Sequence, residues 1–390
     1  MNFIFKIIMK FKKIIISDNT ESLINLKVRI IIQYIIIIIL LSILYSIILL
    51  YNKEKNKNRT NIKLNNIPEL EIKDEYIPLK SWNNCLAKNK LIEFINNISN
   101  IPKEARIAVF DLDGTLFQET DPVYNDWRIY QNRVLNDSNY NPTEEQKKLS
   151  NKISKAIKEH IMPDDLEIEV YYNTAEIFKG MTLDEYDKYI KDYLKQPADG
   201  YNNLLRGNAF FLPMLEIIEY LQKNEFNIYI VSATDRYQVR SVIDEHINIP
   251  KSNIIGTDYE LASINQGNET GYNYKYNKNE KLILKGELIF LNSKFNKING
   301  IIRNIGRKPI LVFGNSEGDS SMANYAISDN EYNSLAFMVL NDDLIRERGN
   351  QASADKMKKL CDKNNWIHIS MKNDWKTIYG LNVTRNNKIY

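Results

Sequence analysis

Three short apolar runs punctuate the chain, and each ends at a polar cluster: Arg106–Asp111 (RIAVFD), Phe226–Ala233 (FNIYIVSA) and Pro309–Gly314 (PILVFG). Runs of this length without polar alternation predict strands buried on both faces of a parallel sheet. In such sheets chemistry gathers at the C-terminal strand ends. Between the first two runs lie over a hundred residues with apolar positions at helical spacing. Thr143–His160 and Thr182–Leu194 are the clearest helices there, and the second opens on Thr182-Leu-Asp-Glu185, a capping-box pattern. This stretch reads as a helical cap inserted after the first strand, at about residues 118–208. Ile254–Phe290 differs: a Tyr/Asn-rich segment (GYNYKYNKNE) precedes an apolar run at Leu282–Leu291, which predicts a strand pair joined by a long mobile loop.

A different pattern fills the N-terminal part. Ile30–Tyr51 carries no charge over 22 residues, or about 33 Å of helix, which matches a bilayer core. A helix apolar on every face suits a membrane better than a globular core. No small-residue cleavage site follows, so an uncleaved single-pass anchor is expected. Basic residues flank it almost evenly, Lys6 to Arg29 before and Lys53 to Lys63 after, with a slight balance toward a large domain outside the cytoplasm. The expected organisation is a tail at 1–29, a transmembrane helix at 30–51, a polar linker at 52–74 and a globular domain at 75–390.

Composition narrows the function classes. With 390 residues and 44% apolar content the chain can bury a sizeable core. Lys and Arg number 52 against 49 acids, a net charge of +3, so no basic surface for nucleic acid is expected. The two cysteines, Cys85 and Cys361, are too few for a disulfide framework or a zinc cluster. Cys361 shares a helical pattern with Ala354, Met357 and Leu360 and reads as a buried thiol. A Cys85–Cys361 bridge is the alternative in an oxidising compartment.

The candidate chemistry sits where the apolar runs end. After the first comes Asp111-Leu-Asp113-Gly114-Thr115, two carboxylates two apart before a glycine that permits a sharp turn. A calcium loop is excluded, because no ladder of further ligands follows. Ser232 ends the second run, Lys297 opens the helical stretch NKINGIIRNIG, and Gly314-Asn315-Ser316-Glu317-Gly318-Asp319 follows the third. A serine at a strand end is ordinarily a cap and a lysine ordinarily surface. Four such elements at the ends of successive buried strands together indicate an active site.

These motifs resemble the haloacid dehalogenase-like hydrolases, in the branch of phosphoserine phosphatase-like proteins whose last motif reads GNSxGD. The likeness runs from about Ser81 to the C-terminus through SWNN, RIAVFDLDGTL, KGMTLDEY, IVSAT, FGNSEGD and SMKNDWKTIYG. It implies an α/β fold, a Rossmann-like parallel sheet with the inserted cap. It implies Asp111 as a nucleophile forming an aspartyl-phosphate and Asp113 as general acid and base. Ser232 would bind a phosphoryl oxygen, and Lys297 would supply positive charge. Mg²⁺ would be held by Asp111, the Asp113 carbonyl and a side chain of the last motif, Asn315 or Asp319. Asn315 departs from the wider superfamily, which has an acid there. Expected substrate contacts are Thr115, Glu119 and Arg206, with Tyr124, Trp127 and Arg128 as further candidates. Glu119 stands one residue off the position of the substrate-contacting acid in phosphoserine phosphatases. The resulting expectation is a Mg²⁺-dependent hydrolase of a small phosphomonoester, phosphoserine-like or phosphorylcholine-like. The alternative is a membrane-displayed binding protein on a degenerate hydrolase scaffold.

Overall fold

All three apolar runs become neighbouring strands at the centre of one sheet. The computed structural model describes residues 76–119, 124–159 and 163–386. In chain order they form α1 (Leu86–Asn96), β1 (Ile107–Phe110), four helices α2 (Asn125–Leu135), α3 (Glu144–Glu159), α4 (Asp164–Ile177) and α5 (Leu183–Leu194), then β2 (Tyr201–Asn202) and α6 (Leu212–Lys223). Next come β3 (Asn227–Asp235), α7 (Arg236–Ile243), β4 (Ile254–Ser263), β5 (Leu282–Phe290), α8 (Asn296–Ile305), β6 (Leu311–Gly314) and α9 (Ser320–Ile327). The chain closes with β7 (Leu335–Leu340), α10 (Gln351–Asn364), β8 (Ile367–Ser370), α11 (Met371–Asp374) and β9 (Thr384–Arg385).

The main sheet has seven strands in the order β5-β4-β3-β1-β6-β7-β8. Every pairing is parallel except β4 with β5. The chain leaves β1 on one side to build β3 and β4, then returns on its other side to build β6, β7 and β8. That reversal makes the C-terminal end of β1 the switch point where a crevice opens.

Burial on both faces explains why the strands show no alternation in sequence. Ala108 and Phe110 pack toward Met214, Ile217 and Leu221 of α6 and Val239 of α7. Ile107 and Val109 pack toward Met322, Ala323 and Ala326 of α9 and Ala354, Met357 and Cys361 of α10. Phe110, Phe313 and Phe337 stack in turn across three strands, with ring centroids 4.3 and 5.0 Å apart. Cys361 is the buried thiol expected, and both cysteines are free. Cys85 instead caps α1, its Sγ accepting the Lys88 amide.

The predicted capping box is present. Thr182 Oγ1 accepts the Glu185 amide at 3.2 Å, and Glu185 Oε2 accepts the Thr182 amide at 2.8 Å. Just before it, the cap is joined to the edge strand of the sheet. The Gly180 amide donates to the Leu284 carbonyl (2.8 Å), and the Leu284 amide donates to the Met181 carbonyl (2.9 Å).

Two expectations change. The β4–β5 connection is gathered around one carboxylate rather than left loose. Glu280 accepts bonds from Ser263 Oγ, Tyr274 (2.7 Å), Asn277 (2.8 Å) and Asn265 (3.3 Å). The single-pass membrane localisation is also corrected: among the described residues no helix is long and apolar enough to cross a membrane. The expected anchor at 30–51 lies outside the described residues.

The hydrogen bonds from Ser263 first, then Asn277 and Tyr274, lower the Glu280 carboxyl to about 2. A depressed carboxyl stabilises the fold above its unfolded value of roughly 4.3, and that contribution fades as pH falls from there toward about 2. Glu280→Ala is expected to expose residues 264–281 to limited proteolysis at pH 7. Wild-type protein should develop the same cleavage with an acid-stable protease only below about pH 4. Equal resistance of both proteins at neutral pH would show that Glu280 does not hold the loop.

Candidate active site

The site is assembled where β1, β3 and β6 end. Asp111 follows β1 directly, and its amide donates to the Phe313 carbonyl at the end of β6 (2.9 Å). The chain then turns at Gly114 with φ +77°. A side chain at Gly114 would overlap Asn315 and Glu119, so both backbone angle and space demand glycine.

Lys297 comes from the first turn of α8 and is 4% exposed. Its ammonium lies 2.6 Å from Asp111 Oδ1 and 2.6 Å from Asp319 Oδ1. The other Asp319 oxygen accepts the amides of Asn315 (3.0 Å) and Ser316 (3.1 Å) and the Ser316 hydroxyl (3.3 Å). The carboxylate therefore fixes both the lysine and the loop after β6. Gly314 leaves it room, since a Cβ there would sit 2.6 Å from the Asp319 Cβ.

Burial by itself would strip the Lys297 proton. The Asp111 and Asp319 carboxylates offset it and hold the ammonium above the usual lysine range. Burial and the Asp319 charge push Asp111 up, against the pull of Lys297.

Asp113 faces β3. Thr234 Oγ1 donates to its Oδ2 at 2.8 Å, and the Thr234 amide donates to Ser232 Oγ at 3.1 Å. Burial pushes the Asp113 carboxyl up to about 6, with the Thr234 bond opposing. On the other side of the turn Asn315 Nδ2 donates to Glu119 Oε2 (2.8 Å), and Thr115 Oγ1 donates to Asn315 Oδ1 (3.3 Å). Glu119 is raised to about 7 by burial and then by Asp113, and Tyr124 hydrogen-bonds its carboxyl.

The structure thus brings Asp111, Asp113, Thr115, Glu119, Ser232, Lys297, Asn315 and Asp319 to one end of the sheet. Arg206 is tied into another network: its guanidinium donates to Asp199 at 2.6 Å and lies over the Tyr193 ring. Arg128 meets the same Asp199 at 2.9 Å. Trp127 is a core residue of the cap at 1% exposure.

Sequence reading passed over Thr234 and Asp126. Thr234 lies past the predicted end of the second run, because β3 continues to Asp235. Asp126 is 3% exposed, and the bond described to its carboxylate comes from the Trp127 amide (2.9 Å). Burial first, then Asp113, raises it well above the usual carboxylate range. Its polarity within the apolar stripe of α2 was the available signal.

For a divalent cation, the donors present are oxygens. Among the described residues no group of three or more His, Cys, Asp or Glu converges as a metal cage. No donor among them meets Asp111 Oδ2 or the Asp113 carbonyl. Asn315 Oδ1 accepts one long bond from Thr115 (3.3 Å), whereas Asp319 meets Lys297 with one oxygen and accepts three donors with the other. A sparse set of hard oxygens suits Mg²⁺, which keeps several waters, better than Zn²⁺ or Ca²⁺.

No protein-family model and no curated protein matches the chain. Among solved structures it is similar to cytosolic 5'-nucleotidase IIIB bound to cytidine, at 15% identity over 73% of this chain and 86% of that one, TM-score 0.45. A phosphoserine phosphohydrolase-like protein from Francisella tularensis subsp. tularensis SCHU S4 is similar at 14% identity, over 67% and 94% of the two chains, TM-score 0.36. A haloacid dehalogenase-like family hydrolase from Streptococcus pneumoniae is similar at 13%, over 70% and 96%, TM-score 0.33. Likenesses this distant transfer no residue role.

Lys297→Met leaves two buried carboxylates without their cation. The expected loss is about 3–5 kcal/mol of stability at pH 7.5. It should shrink toward pH 5 as Asp111, already pushed up by burial, takes up a proton. Urea denaturation at both pH values reads the difference, and an unchanged midpoint at pH 7.5 would contradict the arrangement.

Proposed function

We propose that the chain hydrolyses small phosphomonoesters through an aspartyl-phosphate on Asp111, with Mg²⁺ as cofactor. The observation that carries this reading is the Lys297 ammonium, held 2.6 Å from Asp111 beside a buried Asp113 raised to about 6. One carboxylate is placed with a cation for attack, and the other is poised to carry a proton. A binding-only scaffold has no need of that division, so the geometry favours hydrolysis over the binding alternative. The resemblance of the motifs to haloacid dehalogenase-like hydrolases supports the same reaction.

Asp111 Oδ2 attacks phosphorus as the ester oxygen leaves, and Asp113 gives its proton to that oxygen. Asp113, now a carboxylate, takes a proton from water. The water oxygen attacks the phosphoryl group and returns Asp111. Lys297 neutralises charge on the transferring group, and Ser232 Oγ donates to one of its oxygens. Asp319 holds Lys297 and the loop in place. When bound, Mg²⁺ supplies further charge neutralisation for the phosphoryl oxygens. Its protein ligands would be Asp111, the Asp113 carbonyl and Asn315.

For substrate, the reading is a phosphate ester carrying an ammonium group, phosphoserine-like or phosphorylcholine-like. Its support is the buried Asp126, a carboxyl that burial and Asp113 push toward its neutral form and that has no cation among its described contacts to restore its charge, in a cap that also brings Tyr124 and Tyr171 near it. An ammonium group would meet carboxylate and ring faces together.

Asp111→Asn should lower phosphate release by roughly three orders of magnitude or more with the circular dichroism spectrum unchanged. EDTA should abolish wild-type turnover and Mg²⁺ restore it. Wild-type-like turnover in the folded variant would end the assignment. Asp126→Asn should raise KM for ethanolamine phosphate about tenfold, a cost of about 1.4 kcal/mol, and leave KM for glycerol phosphate nearly unchanged. Equal shifts for both esters would remove Asp126 from ammonium recognition.

A further inference from the structure

The cap reaches the catalytic acid from behind, through the end of β3. Tyr186 of α5 is fully buried, and its hydroxyl donates to Asp235 Oδ2 at 3.0 Å. Asp235 is the last residue of β3 and the cap of α7, accepting the amides of Tyr237 (3.2 Å) and Gln238 (2.8 Å). The preceding residue, Thr234, carries the hydroxyl that donates to Asp113 Oδ2 at 2.8 Å. A single peptide unit therefore separates the cap's anchor from the bond that orients the acid.

That peptide unit has little freedom. Gly256 of β4 lies so close that a Cβ on it would be 2.7 Å from the Thr234 carbonyl oxygen and 2.8 Å from the Arg236 nitrogen. Asn292 Nδ2 donates to the Ser232 carbonyl (2.9 Å), and the Thr257 hydroxyl donates to the Ala233 carbonyl. Packed segments of this kind move as units and do not deform gradually. Shifting Asp235 consequently shifts Thr234.

We propose that Tyr186 and Asp235 are positioning residues: docking of the cap through their bond sets the Thr234–Asp113 contact, so that protonation of the leaving group is efficient only when the cap is seated. The proposal rests on the hydrolase reading above. It places Tyr186, which belongs to the cap, among the determinants of the chemical step. Other contacts between α5 and α7 lie farther out. Asp187 accepts the Ser241 hydroxyl (2.7 Å), and Lys191 pairs with Asp244 (2.7 Å), at partly exposed positions. Those contacts hold the cap without touching the strand end.

Leaving-group dependence separates positioning from simple docking. An alkyl alkoxide must be protonated as it departs, whereas p-nitrophenolate leaves without help, so a misplaced acid penalises only the first in kcat/KM, which reads the steps up to departure of the leaving group; the later activation of water by Asp113 is common to both esters. The full chain, Tyr186→Phe and Asp187→Asn are compared on glycerol phosphate and p-nitrophenyl phosphate with Mg²⁺ present. Tyr186→Phe is expected to lower kcat/KM about tenfold for glycerol phosphate and less than about twofold for p-nitrophenyl phosphate, since general acid catalysis is worth roughly 10²–10⁴ in full. Asp187→Asn is expected to change the two substrates in equal proportion. In Asp235→Asn an NH2 in place of Oδ2 removes the acceptor for Tyr186 and for the Gln238 amide together, so it should reproduce the Tyr186→Phe pattern with a larger loss. Equal kcat/KM losses on both substrates, or loss of folding in both variants, would overturn the proposal. A full chain that cleaves neither ester would instead refute the hydrolase reading beneath it.

Discussion

Everything at the crevice depends on one ammonium group placed between two buried carboxylates. Lys297 is held 2.6 Å from both Asp111 and Asp319 with almost no solvent access. Without the lysine, the Asp111 and Asp319 carboxylates would repel each other across a low-dielectric gap. Without Asp319, the lysine would be free to close on Asp111 alone, and the loop after β6 would lose the acceptor for three of its donors. The three groups form one unit, drawn from the end of β1, the start of α8 and the turn after β6. Their separation in sequence is the reason the sheet must be correct before the site can exist.

That dependence also explains what the sequence disclosed. Strands buried on both faces must be uniformly apolar, so Ile107–Phe110 and Leu311–Gly314 stand out, and so do the charged residues that terminate them. Asp111, Asp113 and Asp319 were legible for that reason, and Lys297 from its place at the opening of a helical stretch. Thr234 was not, because a threonine inside a strand is ordinary β-sheet chemistry. Its role appears only when the side chain is seen on Asp113. Arg206 failed in the opposite sense. A cation near the end of a cap suggests an anion-binding residue, yet tertiary packing brought Asp199 to it. The contents of the β4–β5 loop were hidden as well, since low-complexity sequence gives no hint that one glutamate gathers four donors.

Negative charge exceeds positive charge around the turn at Gly114. Among the described residues, Asp111, Asp113, Glu119 and Asp319 gather around Lys297, and Asp126 lies near Asp113. Raised carboxyls at Asp113 and Glu119 are the protein's own response to that imbalance. The same imbalance gives a divalent cation and an ammonium-bearing ester a common physical basis, since each brings positive charge to a place that lacks it. Asn315, neutral and 2.8 Å from Glu119, keeps the excess from growing further.

The backbone bonds between the cap and β5 bear on solubility as much as on catalysis. β5 is one of the two outer strands of the sheet, and Leu284 spends both its amide and its carbonyl on Met181 and Gly180. An uncovered outer strand is a template for pairing with another chain. The cap occupies that template. Any movement that lifts it away uncovers polar backbone and the apolar flank of β5 together, so each excursion carries a risk of self-association that rises with protein concentration.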